Sequence, residues 1–182
     1  MNRLRAQLAR CEDAFPGFRT EIVEGSIVAS PLRPFHNKTV MRLWTQLDAQ
    51  LGPEWGCVSD VAIPFSGDFA FCPDLALIPA AEEDRNQACY PAEIIEPAVE
   101  VVSPSSVRVD HEVKNRQYAA RGIPHHLIAE PQQAHLVTLR HPGPDGYLGR
   151  DTIPYGGEIT LDIGPGRLTL DTGRLPADPY PS

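Results

Sequence analysis

The chain has 182 residues, enough for one domain with a core of ordinary size. Hydrophobic residues at 42% and charged residues at 22% exclude a disordered chain, and no apolar run reaches the length of a membrane span. The net charge of −8 argues against a broad grip on nucleic acid, which draws on Lys and Arg, but leaves room for a local basic patch beside metal ions.

Residues 1–10 are polar and basic with scattered Leu, and predict a short helix rather than a targeting signal. The expectation is therefore a cytoplasmic protein. Cys11, Cys57, Cys72 and Cys89 are widely spaced and form no C-x-x-C pair, so they read as reduced, small buried hydrophobes and not as zinc ligands.

Glu21 to Ser30 alternates around Glu24-Gly25, the pattern of two strands and a tight turn. Val40, Leu43, Trp44, Leu47 and Leu51 then repeat at helical spacing from His36 to Leu51, and Gly52-Pro53 stops the helix. Strands are predicted over Cys57–Phe65 and Asp74–Ile78, with a turn at Ser66-Gly67-Asp68. Ala80 to Pro91 reads as a loop holding a short helix, and Ala98–Ser103 as another strand.

A helix follows from about Val109 to Arg121, closed by Gly122 with Pro124 just beyond. His125–Ala129 is a further strand. Ala134–Arg140, a turn over Gly143–Gly146, Thr160–Ile163 and Arg167–Leu170 make a β-rich ending. The expected class is α/β in the α+β sense, a single domain over residues 1–182.

The chemistry concentrates in Asp74, Glu100, Asp110, Lys114 and Tyr118. Along a strand Val99 and Val101 share one face, while Glu100 shares the other with Val102. An unpaired ionised Glu in such an apolar run is strongly disfavoured. If the strand after Asp74 neighbours it, both carboxylates converge, and two carboxylates with a backbone carbonyl and waters suit Mg²⁺. Asp110, Lys114 and Tyr118 recur every four residues, on one helical face.

Lys114 could then act on an attacking water or on phosphate charge, with Asp110 and Tyr118 in support and Gln117 adding polar contacts. Plainer readings stand beside these. Asp74 after Pro73 can be a turn cap, Glu100 can face solvent from an edge strand, and Asp110/Lys114 can be an ordinary surface ion pair. His111, His125, His126 and His135 lack zinc spacing, and Ser103 and Ser105 lack a nucleophile elbow.

The ordered set resembles the PD-(D/E)XK nuclease superfamily, and more closely its widespread bacterial Uma-two branch of restriction endonucleases. The resemblance covers most of the chain. It runs through Glu21-x-x-Glu24-Gly25, His36, Pro73-Asp74-Leu75 and Glu100-Val101-Val102-Ser103-Pro104-Ser105. It continues with Asp110, Lys114, Tyr118-Ala119, Gly122-Ile123-Pro124 and Glu130-Pro131.

The resemblance implies a restriction-endonuclease-like mixed central sheet flanked by helices. It also implies phosphodiester hydrolysis, with DNA the foremost substrate, and Mg²⁺ (or Mn²⁺) at Asp74, Glu100 and the Val101 backbone carbonyl. Glu21 and His36 would support that site, and a homodimer would be the natural assembly. In two places the chain departs from the pattern. The superfamily lysine two residues after the Glu is here Val102, which turns the role to Lys114 as in the Uma-two branch, and Glu130 stands where that branch favours Asp. The alternatives are a binding or assembly module that keeps the fold without catalysis, and a phosphoesterase for small nucleotides.

Overall fold

The computed structural model describes residues 3–14, 18–31 and 33–178. Helix α1 (Arg3–Ala14) holds the first expected helix, except for residues 1 and 2, which lie outside the described residues. Strands β1 (Phe18–Val23) and β2 (Ser26–Pro31) pair antiparallel. Their turn puts Glu24 at φ 50° and Gly25 at φ 73°, the mirror-image geometry that matches strand twist. Helix α2 (Pro34–Asp48) opens on proline, where the missing N–H would have had no helical partner. It buries Leu43 and Leu47 fully, each contributing about 1.5–3 kcal/mol.

The strand expected over Cys57–Phe65 is broken. It separates into β3 (Trp55–Val58) and β4 (Ile63–Pro64). Between them Asp60 takes φ 54°, which a strand cannot accommodate, and its N–H turns to the Pro73 carbonyl at 3.3 Å. Then come β5 (Ala70–Phe71), β6 (Leu75–Pro79), the short α3 (Ala80–Glu83) and β7 (Ala98–Val101). The helix expected over Val109–Arg121 is wound in two ways, as a π-helical turn at Val109–Lys114 that runs into α4 (Asn115–Ala120). Gly122, at φ 73°, ends it by turning its N–H back to Ala119.

Five strands finish the fold: β8 (His125–Glu130), β9 (His135–Gly143), β10 (Gly146–Pro154), β11 (Glu158–Ile163) and β12 (Gly166–Asp171). Sequence pattern alone misses β10. It is an edge strand with mostly exposed side chains and glycines at both Gly146 and Gly149, so it carries no two-residue apolar period.

The main sheet runs β10-β9-β8-β7-β6-β3, and β2-β1-β5-β4 form a second sheet. All pairs in the main sheet are antiparallel except β7 with β8. A parallel pair cannot be joined by a hairpin and needs a crossover. The π turn and α4 are that crossover. Val99 and Val101 pack with Leu43, Leu47, Leu127 and the β11–β12 hairpin on one face. Glu100 therefore faces the crossover on the other side, beside Tyr118. The fold class is the expected one: a mixed sheet, few helices and a β-rich C-terminal part.

Candidate active site

Glu100 is 1% exposed, and its two oxygens are engaged from the crossover. The Lys114 ammonium lies 2.9 Å from Oε2, and the Tyr118 hydroxyl donates to Oε1 at 2.6 Å. Lys114 Nζ also lies 3.1 Å from Asp110 Oδ1 and 3.2 Å from Glu21 Oε1. One ammonium thus gathers three carboxylates from the π turn, β1 and β7. Wider windings of this kind often occur at functional sites, and here the wound segment itself supplies both Asp110 and Lys114.

The charges respond to this enclosure. Burial is the largest influence on Glu100, and together with Asp110, Asp74 and Glu21 it outweighs Lys114, pushing the carboxyl up to about 8. Burial opposes the Lys114 charge, yet Glu100, Glu21 and Asp110 hold its ammonium well above the ordinary lysine range. Burial, then Glu100, keeps the Tyr118 phenol firmly protonated.

Asp74, also 1% exposed, sits one residue before β6 and is held from three other elements. Arg19 of β1 pairs with Oδ1, His36 Nε2 of α2 lies 3.0 Å from the same oxygen, and the Val101 N–H of β7 donates to Oδ2 at 2.7 Å. The Ser59 hydroxyl donates to the Asp74 carbonyl at 2.8 Å. Burial works against ionisation here too, but His36 and Arg19 prevail and hold the carboxyl well below the usual range. Arg19 also reaches Asp60 Oδ1 through Nε at 3.0 Å.

The donor set can be tested for fit to a hard divalent cation. With all four ionised, Glu21, Asp74, Glu100 and Asp110 exceed the charges of Arg19 and Lys114 by the charge of one such ion, and binding it would draw the proton from Glu100. The available atoms are carboxylate oxygens, as Mg²⁺ prefers. Among the described residues no three His, Cys, Asp or Glu side chains already converge as ligands. Each carboxylate oxygen offers more than one lone pair, so the bonds from Arg19, His36, Lys114 and Tyr118 do not use up the acceptor capacity. The residues fit the ion in charge and in donor chemistry.

Of the residues singled out from sequence, Asp74, Glu100, Lys114, Asp110, Tyr118, Glu21 and His36 come together in one network. Gln117 is half-buried and, among the described residues, makes no hydrogen bond to it. Val101 contributes its N–H to Asp74. Sequence reasoning missed Arg19. The available signal was its place two residues before Glu21, which puts both on one face of β1. Glu130, set aside from sequence, accepts from His111 Nε2 at 2.7 Å and pairs with His135, tying the π turn to the start of β9. His126 is fully buried against Tyr118, with ring centroids 4.9 Å apart, and burial together with Lys114 keeps it neutral.

The fold and its buried acid–lysine network define a protein of the restriction-endonuclease-like class. The chain belongs to the Uma2 family, described as "Putative restriction endonuclease", whose model matches residues 5–173. Among solved structures it is similar to a "putative nuclease belonging to DUF820" from Anabaena variabilis. That match has a TM-score of 0.66 at 15% identity, over 86% of this chain and 88% of the other. At that identity the likeness speaks for the fold alone. No curated protein matches the sequence.

Proposed function

We propose that this chain is a metal-dependent endonuclease that hydrolyses phosphodiester bonds, with DNA the foremost substrate. One observation carries the reading. The Lys114 ammonium, supplied by the helical crossover, lies 2.9 Å from Glu100 and so serves the position left empty at Val102. Asp74 and Glu100, with Glu21 close by and the Val101 carbonyl as backbone donor, would hold Mg²⁺ or Mn²⁺. When bound, such an ion polarises a phosphoryl oxygen and lowers the pKa of a bound water.

The chain's own residues divide the remaining work. Lys114 keeps its proton and so acts as a charged donor to a phosphate oxygen, where transition-state charge gathers. Asp110, one helical turn away, holds the ammonium in place. Tyr118 fixes the Glu100 carboxyl. Arg19 and His36 fix Asp74 and keep it ionised.

The test is cleavage of plasmid, single-stranded DNA and RNA with Mg²⁺ or Mn²⁺. Lys114→Ala and Asp74→Ala are each expected to lower cleavage at least a hundredfold. Cleavage that survives both substitutions would sink the site assignment.

A second reading has its own support. Glu100, Lys114 and Tyr118 are each 1% exposed or less, so the network is closed to solvent. A non-catalytic binding or assembly module would have that character. Calorimetry separates the two, since the module predicts no Mg²⁺ or Mn²⁺ heat that depends on Glu100.

A further inference from the structure

The acidic chain carries a basic surface that its own carboxylates do not cancel. Helix α2 has no acidic residue before its last position, Asp48. Arg33 stands at its start, and Lys38 and Arg42 follow one helical turn apart, all three exposed. Arg19, Arg85, Arg108, Lys114, Arg121, Arg140 and Arg167 are each paired with a carboxylate. Among the described residues Arg33, Lys38 and Arg42 are not, nor are Arg10, Arg116, Arg150 and Arg174, but those four lie on separate elements while the first three share one helix. Two acids of other elements line the hollows beside this helix: Asp178, with Arg33, and Asp60, which is held by Arg19.

This surface adjoins the acid–lysine network. The same helix sends His36 to Asp74. A hollow of about 280 Å³ opens there, lined by Arg19, His36, Asn37, Val40, Met41 and Asp60. Met41, 69% exposed, gives that hollow an apolar wall. Asn37 and Met41 face the hollow, so Lys38 and Arg42 stand about 100° further round the helix, on its outer shoulder. Four residues, about 6 Å of helical rise, separate them, within reach of neighbouring phosphates for two long, flexible side chains.

We propose that this shoulder of α2 is the track for a nucleic-acid backbone. Lys38 and Arg42 contact successive phosphates, and the nucleotide beside them lies in the hollow against Met41, next to Asp74. The inference rests on the nuclease reading for the use made of the strand, but not for the binding. It also reconciles the net charge of −8 with a polyanionic ligand, because local field at a cleft mouth matters more than the total.

The probe is a fluorescently labelled 20-nucleotide DNA, single-stranded and duplex, followed by anisotropy across a salt series. Lys38→Gln/Arg42→Gln should weaken binding at least tenfold at 0.1 M salt and flatten the log–log salt slope by about 1.4–1.8. Lys38→Glu/Arg42→Glu should weaken it further. Arg150→Gln, on the outer edge strand β10, serves as the control and should change neither quantity. All sites are exposed, and thermal melts confirm that each variant folds.

A small chromogenic diester, bis(p-nitrophenyl) phosphate, keeps the two readings apart. Its kcat/KM should be unchanged by Lys38→Gln/Arg42→Gln, while the KM for the polymer rises. Unchanged polymer affinity and salt slope in these variants overturn the track, whatever is cleaved. Lost affinity in a chain that cleaves neither substrate keeps the track and overturns the nuclease reading.

Discussion

Asp74 and Glu100 lie at adjacent strands, each 1% exposed, and burial opposes ionisation of both, yet their carboxyls shift in opposite directions. Asp74 receives a guanidinium, an imidazole and a backbone N–H, and stays ionised into acid. Glu100 receives one ammonium, shared with Glu21 and Asp110, and one phenol, and its carboxyl rises to about 8. The desolvation cost is similar, so the count of cations per carboxylate decides the outcome. The network is therefore satisfied at one end and short of positive charge at the other. In the proposed function, a divalent cation would make up that deficit.

The largest test of this contrast is Lys114→Met. It removes the cation shared by three carboxylates and should lower stability by about 3–5 kcal/mol at pH 8. The loss should shrink at pH 5, where Glu100 can take up a proton. Urea denaturation at both pH values measures it, and an equal loss at the two would break the contrast.

Asp74→Asn comes next, at about 2–3 kcal/mol near neutral pH, since Arg19 is left buried with half its partners. Its pH signature has a definite sign. The folded Asp74 carboxyl is depressed from 3.8, so its contribution is present above that value and is lost as pH falls. The variant should therefore show a shallower acid limb than the wild type in midpoint against pH.

Much of the site was legible because its chemistry is written in spacing. Glu100 stood out as a charge in an apolar strand, and Asp110, Lys114 and Tyr118 as a four-residue repeat. The β7–β8 crossover turned that repeat into contact with Glu100, a consequence of parallel pairing that no local pattern states. Arg19 was hidden for the opposite reason. An Arg near the start of an edge-like hairpin looks like ordinary surface charge, and only the second sheet, folding β1 against the network, gives it Asp74 as a partner. His111, Glu130 and His135 likewise meet through the register that sets Glu130 opposite His135. The π winding has no signature at all in residue type.

Glu100→Gln and Tyr118→Phe sharpen the other end, each by about 1–2 kcal/mol. The folded Glu100 binds its proton more tightly than the unfolded chain, whose carboxyl titrates near 4.5, so wild-type stability falls as pH rises from about 4.5 to 8. Glu100→Gln should flatten that limb. Mg²⁺ binding near pH 7 should release protons from the wild type and not from this variant. Calorimetry in buffers of different ionisation enthalpy reads that release. Tyr118→Phe removes a donor to the charged carboxylate and should shift the limb to higher pH.

The smallest effect belongs to Glu24 and Arg108, which pair at 2.7 Å but are both exposed. The pairing lowers the Glu24 carboxyl and raises Arg108, as with the buried groups. In water, however, the attraction is screened, and ordering two long side chains offsets it. Glu24→Gln should leave the urea midpoint at the wild-type value at every pH from 5 to 8. A shift as large as that of Tyr118→Phe would mean that charge pairing alone, and not its enclosure between β6, β7 and the crossover, sets the behaviour of Asp74 and Glu100.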